Sequence, residues 1–181
     1  MIRDVIPILQ TERLILRAFK PTDLDDYAAL CASPDVAEFT GGNTRTLIEI
    51  WNSMAEASGQ WVLRDYGLFA VEHFGRIIGI AGVVYPMDWP EPSIAYSLHP
   101  SVWGRGLATD AVCAVRDWAF VERRFDYLAS FILPGNARSI RVAEKLGALK
   151  EGTVELRGKV VERWVYRRAS LDIVSGRPLS A

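Results

Sequence analysis

The most constraining feature of the chain is a strand that passes through a glycine-containing turn into a long amphipathic helix. The strand is predicted at Ser93–Leu98, and Pro100 ends it because proline cannot donate to a strand ladder. The helix is predicted from about Gly104 to Glu122, with apolar residues recurring on one face. Because such a helix must bury that face against a neighbouring layer, the unit predicts a mixed α/β fold.

The rest of the chain predicts further helices packed on one central sheet. Strands are predicted by short apolar or alternating runs at Arg13–Arg17, Leu68–Glu72, Ile77–Val84, Tyr127–Leu133, Leu149–Leu156 and Val160–Arg167. Helices are predicted from Pro21, from Ser33, from about Thr44 and over Asn136–Leu146. For the helix from Thr44, the expected buried face carries Leu47, Ile48, Trp51 and Met54.

Length and composition restrict the classes of protein that remain. The 181 residues predict a single domain over 1–181, with a core at about 8–168 and a weakly structured tail after Ser170. A net charge of -1 argues against a nucleic-acid partner, which requires a concentrated basic surface. The two cysteines and two histidines are too few and too scattered for a disulfide framework or a metal site.

Membrane insertion is not expected from the hydropathy pattern. The longest apolar run, Ile77–Tyr85, has nine residues, whereas a membrane helix needs roughly 20. The first residues also lack the apolar core of a signal peptide. We therefore expect no membrane partner and a cytoplasmic location.

The glycine turn at 103–109 has the properties of a phosphate site. Helix N-termini present unpaired N–H groups and the positive end of the helix dipole, and glycines let a phosphate approach closely. Gly104 and Gly106 provide that access, and Arg105 adds a positive charge. The turn therefore predicts a pyrophosphate lying across it.

Two other phosphate motifs fit this turn less well. The Walker motif ends in Gly-Lys-Ser/Thr, which does not occur in the chain. The dinucleotide fingerprint needs a small residue where Thr109 stands and an acid at the end of the next strand, but Asp126 stands at its start.

A second motif lies at Asn136-Ala137-Arg138-Ser139, followed by Glu144-Lys145-Leu146-Gly147-Ala148. By itself this segment predicts only a helix capped by Asn136. Together with Trp103–Thr109, however, it resembles the GNAT superfamily of N-acetyltransferases. Thr11–Arg17 with Asp23, and Gly158–Tyr166 at the other end, are similar to the Rim-type branch, which includes the acetylases of ribosomal-protein N-termini.

The resemblance covers about residues 8–168 and implies a GNAT-like fold. In that fold a mostly antiparallel sheet of about seven strands carries helices on both faces, and two strands splay around the cofactor. The implied co-substrate is acetyl-CoA, with no metal. The resemblance places the cofactor contacts at Tyr96, Ser97, Leu98, Gly104, Arg105, Gly106, Leu107, Ala108, Thr109, Asn136 and Ser139.

Each of these contacts has an implied role. Backbone amides of the turn bind the pyrophosphate, Tyr96–Leu98 pair with the pantetheine arm, and Asn136 hydrogen-bonds that arm. Ser139 lies near the thiol and is the candidate general acid for the departing thiolate, or else it only orients the cofactor. The backbone N–H of Leu98 is the candidate donor to the oxyanion.

The general base is left open by the sequence. Rim-type sequences often carry a glutamate where this chain has Ser93. An ordered water, or a carboxylate such as Glu72 or Glu91, is the expected substitute. Three tryptophans are candidates either for the acceptor cleft or for the core: Trp51, Trp61 and Trp89.

The leading hypothesis is therefore transfer of an acetyl group from acetyl-CoA to the amine of a small molecule or peptide, by a monomer or homodimer. A coenzyme-A-binding sensor that has lost catalysis is the first alternative, because Ser93 replaces the usual glutamate. A nucleotide-binding module that uses the glycine turn is the second alternative.

Overall fold

The computed structural model describes residues 6–40 and 45–168, which form an eight-stranded sheet with helices packed on it. The strands are β1 (Leu9–Gln10), β2 (Ile15–Arg17), β3 (Leu68–His73), β4 (Arg76–Val84), β5 (Ser93–Leu98), β6 (Tyr127–Ile132), β7 (Leu149–Leu156) and β8 (Lys159–Arg167). Their order across the sheet is β1-β2-β3-β4-β5-β6-β8-β7. Every neighbouring pair is antiparallel except β5 and β6, which are parallel.

Five α-helices connect or flank these strands within the described residues. They are α1 (Leu24–Ala32), α2 (Pro34–Thr40), α3 (Leu47–Arg64), α4 (Leu107–Val121) and α5 (Ala137–Lys145). The predicted fold class is confirmed, with one strand more than the seven expected. The additional strand is β1, whose two residues are too few to show an alternating pattern. The expected weakly structured tail after Ser170 lies outside the described residues.

The helices cover both faces of the sheet, as predicted. Successive residues of a strand point to opposite faces, so Phe69 and Val71 join the core beneath α4, whereas Ala70 joins the core beneath α1 to α3. The site lies where these two layers meet at the end of β5. No helix in the described ranges is long and apolar enough to cross a bilayer.

The buried face predicted for α3 is wrong. Of the four residues expected there, only Met54 is buried, while Leu47, Ile48 and Trp51 are 59%, 73% and 46% exposed. The buried face instead carries Ile50, Met54, Ala57 and Trp61. Both sets have helical spacing, and the choice is made by Trp61, which packs edge-on against Phe69 with ring centroids 4.7 Å apart.

Candidate functional site

A cleft of about 1480 Å³ opens between α1–α3 on one side and the start of α4 with α5 on the other. It is lined by ten of the eleven predicted cofactor residues: Tyr96, Ser97, Leu98, Gly104, Gly106, Leu107, Ala108, Thr109, Asn136 and Ser139. The structure therefore brings two segments about 30 positions apart in sequence to one site. The eleventh residue, Arg105, is exposed and does not line the cleft.

The sheet separates at the floor of this cleft. β5 and β6 have six residues each, yet they pair at only one position, Ser93 with Ala129. The Ser130 hydroxyl donates to the Ile94 carbonyl oxygen at 2.8 Å just beyond that pair. Past this point the two strands diverge, which leaves the edge of β5 open toward the cleft.

The direction of each backbone group on β5 follows from the hydrogen bonds around it. The His99 N–H donates to Ile78 of β4, whereas the carbonyls of Pro92 and Ile94 accept from β6. Because the direction alternates along a strand, the backbone groups of Tyr96 and Leu98 face the gap and those of Ser97 face β4. The Leu98 carbonyl accepts from Trp103 Nε1 at 2.8 Å, so the Leu98 N–H is the donor that remains.

The turn after β5 presents free amides to the same gap. The Asp110 N–H makes a helical bond to the Gly106 carbonyl, so the amides of Leu107, Ala108 and Thr109 precede the helical ladder of α4. Gly104 and Gly106 have φ of +75° and +79°, a left-handed conformation that favours glycine. The helix thus begins three residues later than predicted, because these two glycines shape the turn.

Arg13 fixes the turn from the far edge of the sheet. Its Nη1 donates to the Arg105 carbonyl and its Nε to Asp110 Oδ2, both at 2.7 Å. The turn is therefore held in place by a side chain 97 residues away from Asp110 in sequence. Sequence reasoning missed this role, because nothing near Arg13 indicates its partner.

The opposite wall is the first turn of α5. The Asn136 side-chain oxygen accepts from the Ser139 N–H at 3.1 Å, and the Tyr96 hydroxyl donates to the Ser139 carbonyl at 3.3 Å. Burial raises the pKa of Tyr96, so its hydroxyl stays protonated as a donor. These bonds leave the Asn136 amide NH₂ and the Ser139 hydroxyl available to a ligand.

The two carboxylates expected as substitutes for the base are bound to arginines and do not line the cleft. Glu72 accepts from Arg17 Nε at 2.6 Å. Glu91 accepts from Arg163 at 2.5 and 2.9 Å, which holds the pKa of that carboxyl below its usual range. Ser93 is fully buried, and its hydroxyl donates to the Glu91 carbonyl oxygen at 3.0 Å.

The three tryptophans considered for the acceptor cleft lie in three different environments. Trp89 lines the cleft and packs edge-on against Phe131, with centroids 5.3 Å apart. Trp61 is completely buried in the core. Trp51 is exposed on α3 and does not line the cleft.

A polar face of α3 borders the cleft and was not predicted. It consists of Glu49, Asn52, Ser53, Glu56 and Gln60, which recur at helical spacing. The sequence contains a signal for this face, because polar residues recur at helical spacing between two apolar sets. Such a pattern indicates a helix with one buried apolar face, one exposed apolar face and one polar face. The prediction for α3 considers its apolar residues only and therefore omits this polar face.

A splayed sheet edge beside free helix amides, facing a capped helix across one cleft, is the arrangement expected of an acetyltransferase that binds acetyl-CoA. The chain belongs to the GNAT acetyltransferases, since the family "Acetyltransferase (GNAT) domain" matches residues 13–149. It is an acetyl-CoA-dependent N-acetyltransferase, and the resemblance drawn from the sequence is confirmed at the level of the family.

Similar proteins cover nearly the whole chain. The uncharacterized protein YkkB of Bacillus subtilis (strain 168) is 32% identical over 176 residues, which is 91% of this chain and 96% of YkkB. The crystal structure of an acetyltransferase from Agrobacterium tumefaciens str. C58 superposes with a TM-score of 0.80 at 28% identity, over 90% of this chain and 95% of that one.

The ribosomal L7/L12 α-N-protein acetyltransferase RimL, solved in complex with coenzyme A, has a TM-score of 0.76. The match covers 89% of this chain and 98% of RimL. At 15% identity this likeness shows the fold alone. Membership of the Rim-type branch therefore stays a prediction.

Proposed function

We propose that the enzyme transfers the acetyl group of acetyl-CoA to a primary amine by direct attack, with both substrates bound in the cleft. The observation that carries this proposal is the open edge of β5 next to the free amides of α4. Both features lie in one cleft with the polar face of α3, so there is room for a donor and an acceptor together. RimL, which shares the fold, holds coenzyme A.

The residues present fit coenzyme A. A diphosphate requires several donors within a small concave surface, which the amides of Leu107 to Thr109 provide beside the positive end of the α4 dipole. An extended arm with amide groups matches the exposed backbone of Tyr96 and Leu98 in the gap. The side-chain NH₂ of Asn136 is a further hydrogen-bond donor to that arm, from the α5 side of the cleft. Bound acetyl-CoA supplies the activated acyl group.

Two groups of the chain are proposed to act on the reacting atoms. The Leu98 N–H is directed into the gap, where it can stabilise negative charge on the thioester carbonyl oxygen. The Ser139 hydroxyl faces it from α5 and can donate a proton to the departing sulfur. Since Ser139 is held through its backbone by Asn136 and Tyr96, its hydroxyl is positioned without being consumed as a structural donor.

The proton of the attacking amine is proposed to leave through ordered water. Glu72 and Glu91 are both bound to arginines, so neither is free to accept it. The cleft-lining carboxylates of α3 are Glu49 and Glu56. Glu49 already accepts from the Thr46 N–H at 2.7 Å as part of the helix cap, which leaves Glu56 on α3 and Asp35 on α2 as the cleft-lining carboxylates at the end of such a path.

A cytoplasmic location and a monomeric or homodimeric state belong to the same proposal. The two free cysteines, Cys31 and Cys113, fit a reducing compartment. The acceptor is a small-molecule or peptide amine that contacts the polar face of α3 and the ring of Trp89.

The test is an assay of the purified enzyme with acetyl-CoA and a panel of amines that includes amino acids, polyamines, aminoglycosides and peptide N-termini. The free thiol of coenzyme A is measured with a colorimetric thiol reagent, and the acetylated amine is measured by mass spectrometry. We expect equal amounts of thiol and acetylated amine with at least one acceptor, and background thiol release without an amine. Tight binding of acetyl-CoA with no acetylated product from any class would contradict the proposal.

A further inference from the structure

Three cations line the cleft along one face of α5. Arg138, Arg141 and Lys145 are three and four residues apart, which places them above one another on the helix. All three side chains belong to exposed residues, so they can reach a ligand without disturbing the core. They form a positively charged wall beside the start of α4, which we call the α5 row.

The α5 row has no carboxylate partner among the described residues. Within residues 6–40 and 45–168, none of its three side chains forms an ion pair or a hydrogen bond. Several arginines elsewhere are bound to carboxylates, as Arg13 is to Asp110 and Arg163 is to Glu91. An unneutralised row of cations lining a cleft creates a local positive potential that attracts anions.

Arg138 rests on an aromatic ring at the mouth of the cleft. Its guanidinium carbon lies 3.8 Å from the centroid of the Trp103 ring. Trp103 is fixed in turn by its hydrogen bond to the Leu98 carbonyl. An exposed cation–π contact is weaker than a charge-assisted bidentate bond to phosphate, so an arriving phosphate can draw the guanidinium away from the ring.

We propose that the α5 row is a subsite for the 3′-phosphate of coenzyme A and that Arg138 moves from Trp103 to the ligand when that phosphate binds. The inference rests on the proposed function, in which coenzyme A occupies the cleft. The amides of Leu107 to Thr109 serve the diphosphate, so the remaining phosphate needs separate donors. A phosphomonoester carries about -1.5 to -2 charges at pH 7 and is suited to paired cations.

The test compares the affinities of coenzyme A and 3′-dephospho-coenzyme A, which differ only in that phosphate, by calorimetry. We expect the wild-type enzyme to bind coenzyme A about tenfold more tightly, a difference of about 1.4 kcal/mol. The double variant R141Q/K145Q should lose this preference and bind the dephospho compound as the wild type does. The preference should also shrink at high salt, since exposed charges are screened.

The matched control is R123Q, which removes the same kind of charge from a residue outside the cleft. It should retain the tenfold preference. If the wild type binds both compounds equally, or if R141Q/K145Q weakens both equally, the α5 row does not recognise the 3′-phosphate. If neither compound binds to the wild type, the proposed function itself is wrong.

Tryptophan emission tests the movement of Arg138. Coenzyme A should change the emission of the wild type, 3′-dephospho-coenzyme A should change it less, and the W103F and R138Q variants should lose the difference. The same difference in W103F would show that another tryptophan reports the change and would overturn the movement of Arg138.

Discussion

At the residue scale, several side chains of the site serve to place backbone groups. Arg13 donates a hydrogen bond to the Arg105 carbonyl, and Trp103 donates one to the Leu98 carbonyl. The Asn136 side chain accepts a hydrogen bond from the Ser139 backbone N–H. The groups that face the ligand are then the amides left over from these bonds. Such donors are fixed before the ligand arrives, which is the condition for electrostatic stabilisation of a developing charge.

Replacement of Ser139 by alanine tests its assignment as the acid. The capping bond from Asn136 uses the Ser139 backbone and is retained in the variant. We expect kcat to fall about 100-fold with little change in the KM for acetyl-CoA, because a proton donor acts in the transition state. Steady-state kinetics measures this, with Ser101→Ala, on a residue outside the cleft, as the control. An unchanged kcat would assign Ser139 to cofactor orientation only.

A buried ion pair behind the site predicts a pH dependence of stability. Burial raises the pKa of Asp23, but hydrogen bonds from Arg17 and the Lys20 N–H outweigh it, so the pKa lies below its usual value. The stabilisation is therefore full above the ordinary carboxyl pKa and is lost as the pH falls through the lowered one.

Replacing Asp23 by asparagine should accordingly lower the free energy of unfolding by about 3 kcal/mol at pH 7, because Arg17 loses a buried partner. At pH 3 the difference from wild type should be smaller. Urea titrations at the two pH values measure it, with exposed Asp25→Asn as the control. If the difference in free energy of unfolding between the variant and the wild type is the same at both pH values, the charge of Asp23 does not cause the stabilisation.

At the element scale, the turn into α4 depends on the left-handed conformation of Gly106. An alanine there is strained by about 1–2 kcal/mol, and its Cβ would lie 3.2 Å from Arg13 Nη2. Gly106→Ala should therefore reduce both the free energy of unfolding and the affinity for coenzyme A. Gly59→Ala in α3 meets no atom within 4 Å and should instead stabilise the fold by about 0.5–1 kcal/mol. Urea unfolding measures the free energy of unfolding, and calorimetry measures the affinity for coenzyme A. Equal changes in the Gly106→Ala and Gly59→Ala variants would contradict the prediction.

The splayed strand predicts an alternating pattern of hydrogen exchange along β5. Amides that bond to β4, as that of Ser97 does, should exchange slowly without ligand, whereas those of Tyr96 and Leu98 should exchange quickly. Coenzyme A should slow exchange at Tyr96, Leu98 and the start of α4. Residue-resolved exchange by NMR measures this, and uniform protection along β5 without ligand would contradict the splay.

The elements themselves were largely predictable from the sequence, whereas the burial of their faces was less so. Strand and helix periods gave seven of the eight strands and the positions of the helices. The sequence does not identify the buried face of α3, because two apolar faces have the same spacing, and only the contact of Trp61 with Phe69 and Trp118 distinguishes them. The local pattern shows that a helix is amphipathic, but it does not show which of its apolar faces packs against the rest of the protein.

At the scale of the whole molecule, the cleft joins both cores, so a ligand in it should stabilise the entire fold. Coenzyme A at 100 times its Kd should add about 2.7 kcal/mol to the free energy of unfolding, which corresponds to an increase in Tm of about 5–10 °C. Thermal scans measure this, with ATP at the same concentration as the control. An equal increase with ATP would favour the nucleotide-binding alternative over the coenzyme A site.

The sequence by itself determined the class of fold, the phosphate turn and the capped helix, because each depends on residues close together in the chain. It also supported the family, since the turn and the helix occur at family spacing. Tertiary structure decided which backbone groups of β5 stay unpaired, that Glu72 and Glu91 are bound to arginines, and that Arg13 holds the turn. These features depend on contacts between residues up to 97 positions apart, and side-chain pairing over such distances leaves no local pattern in a single sequence.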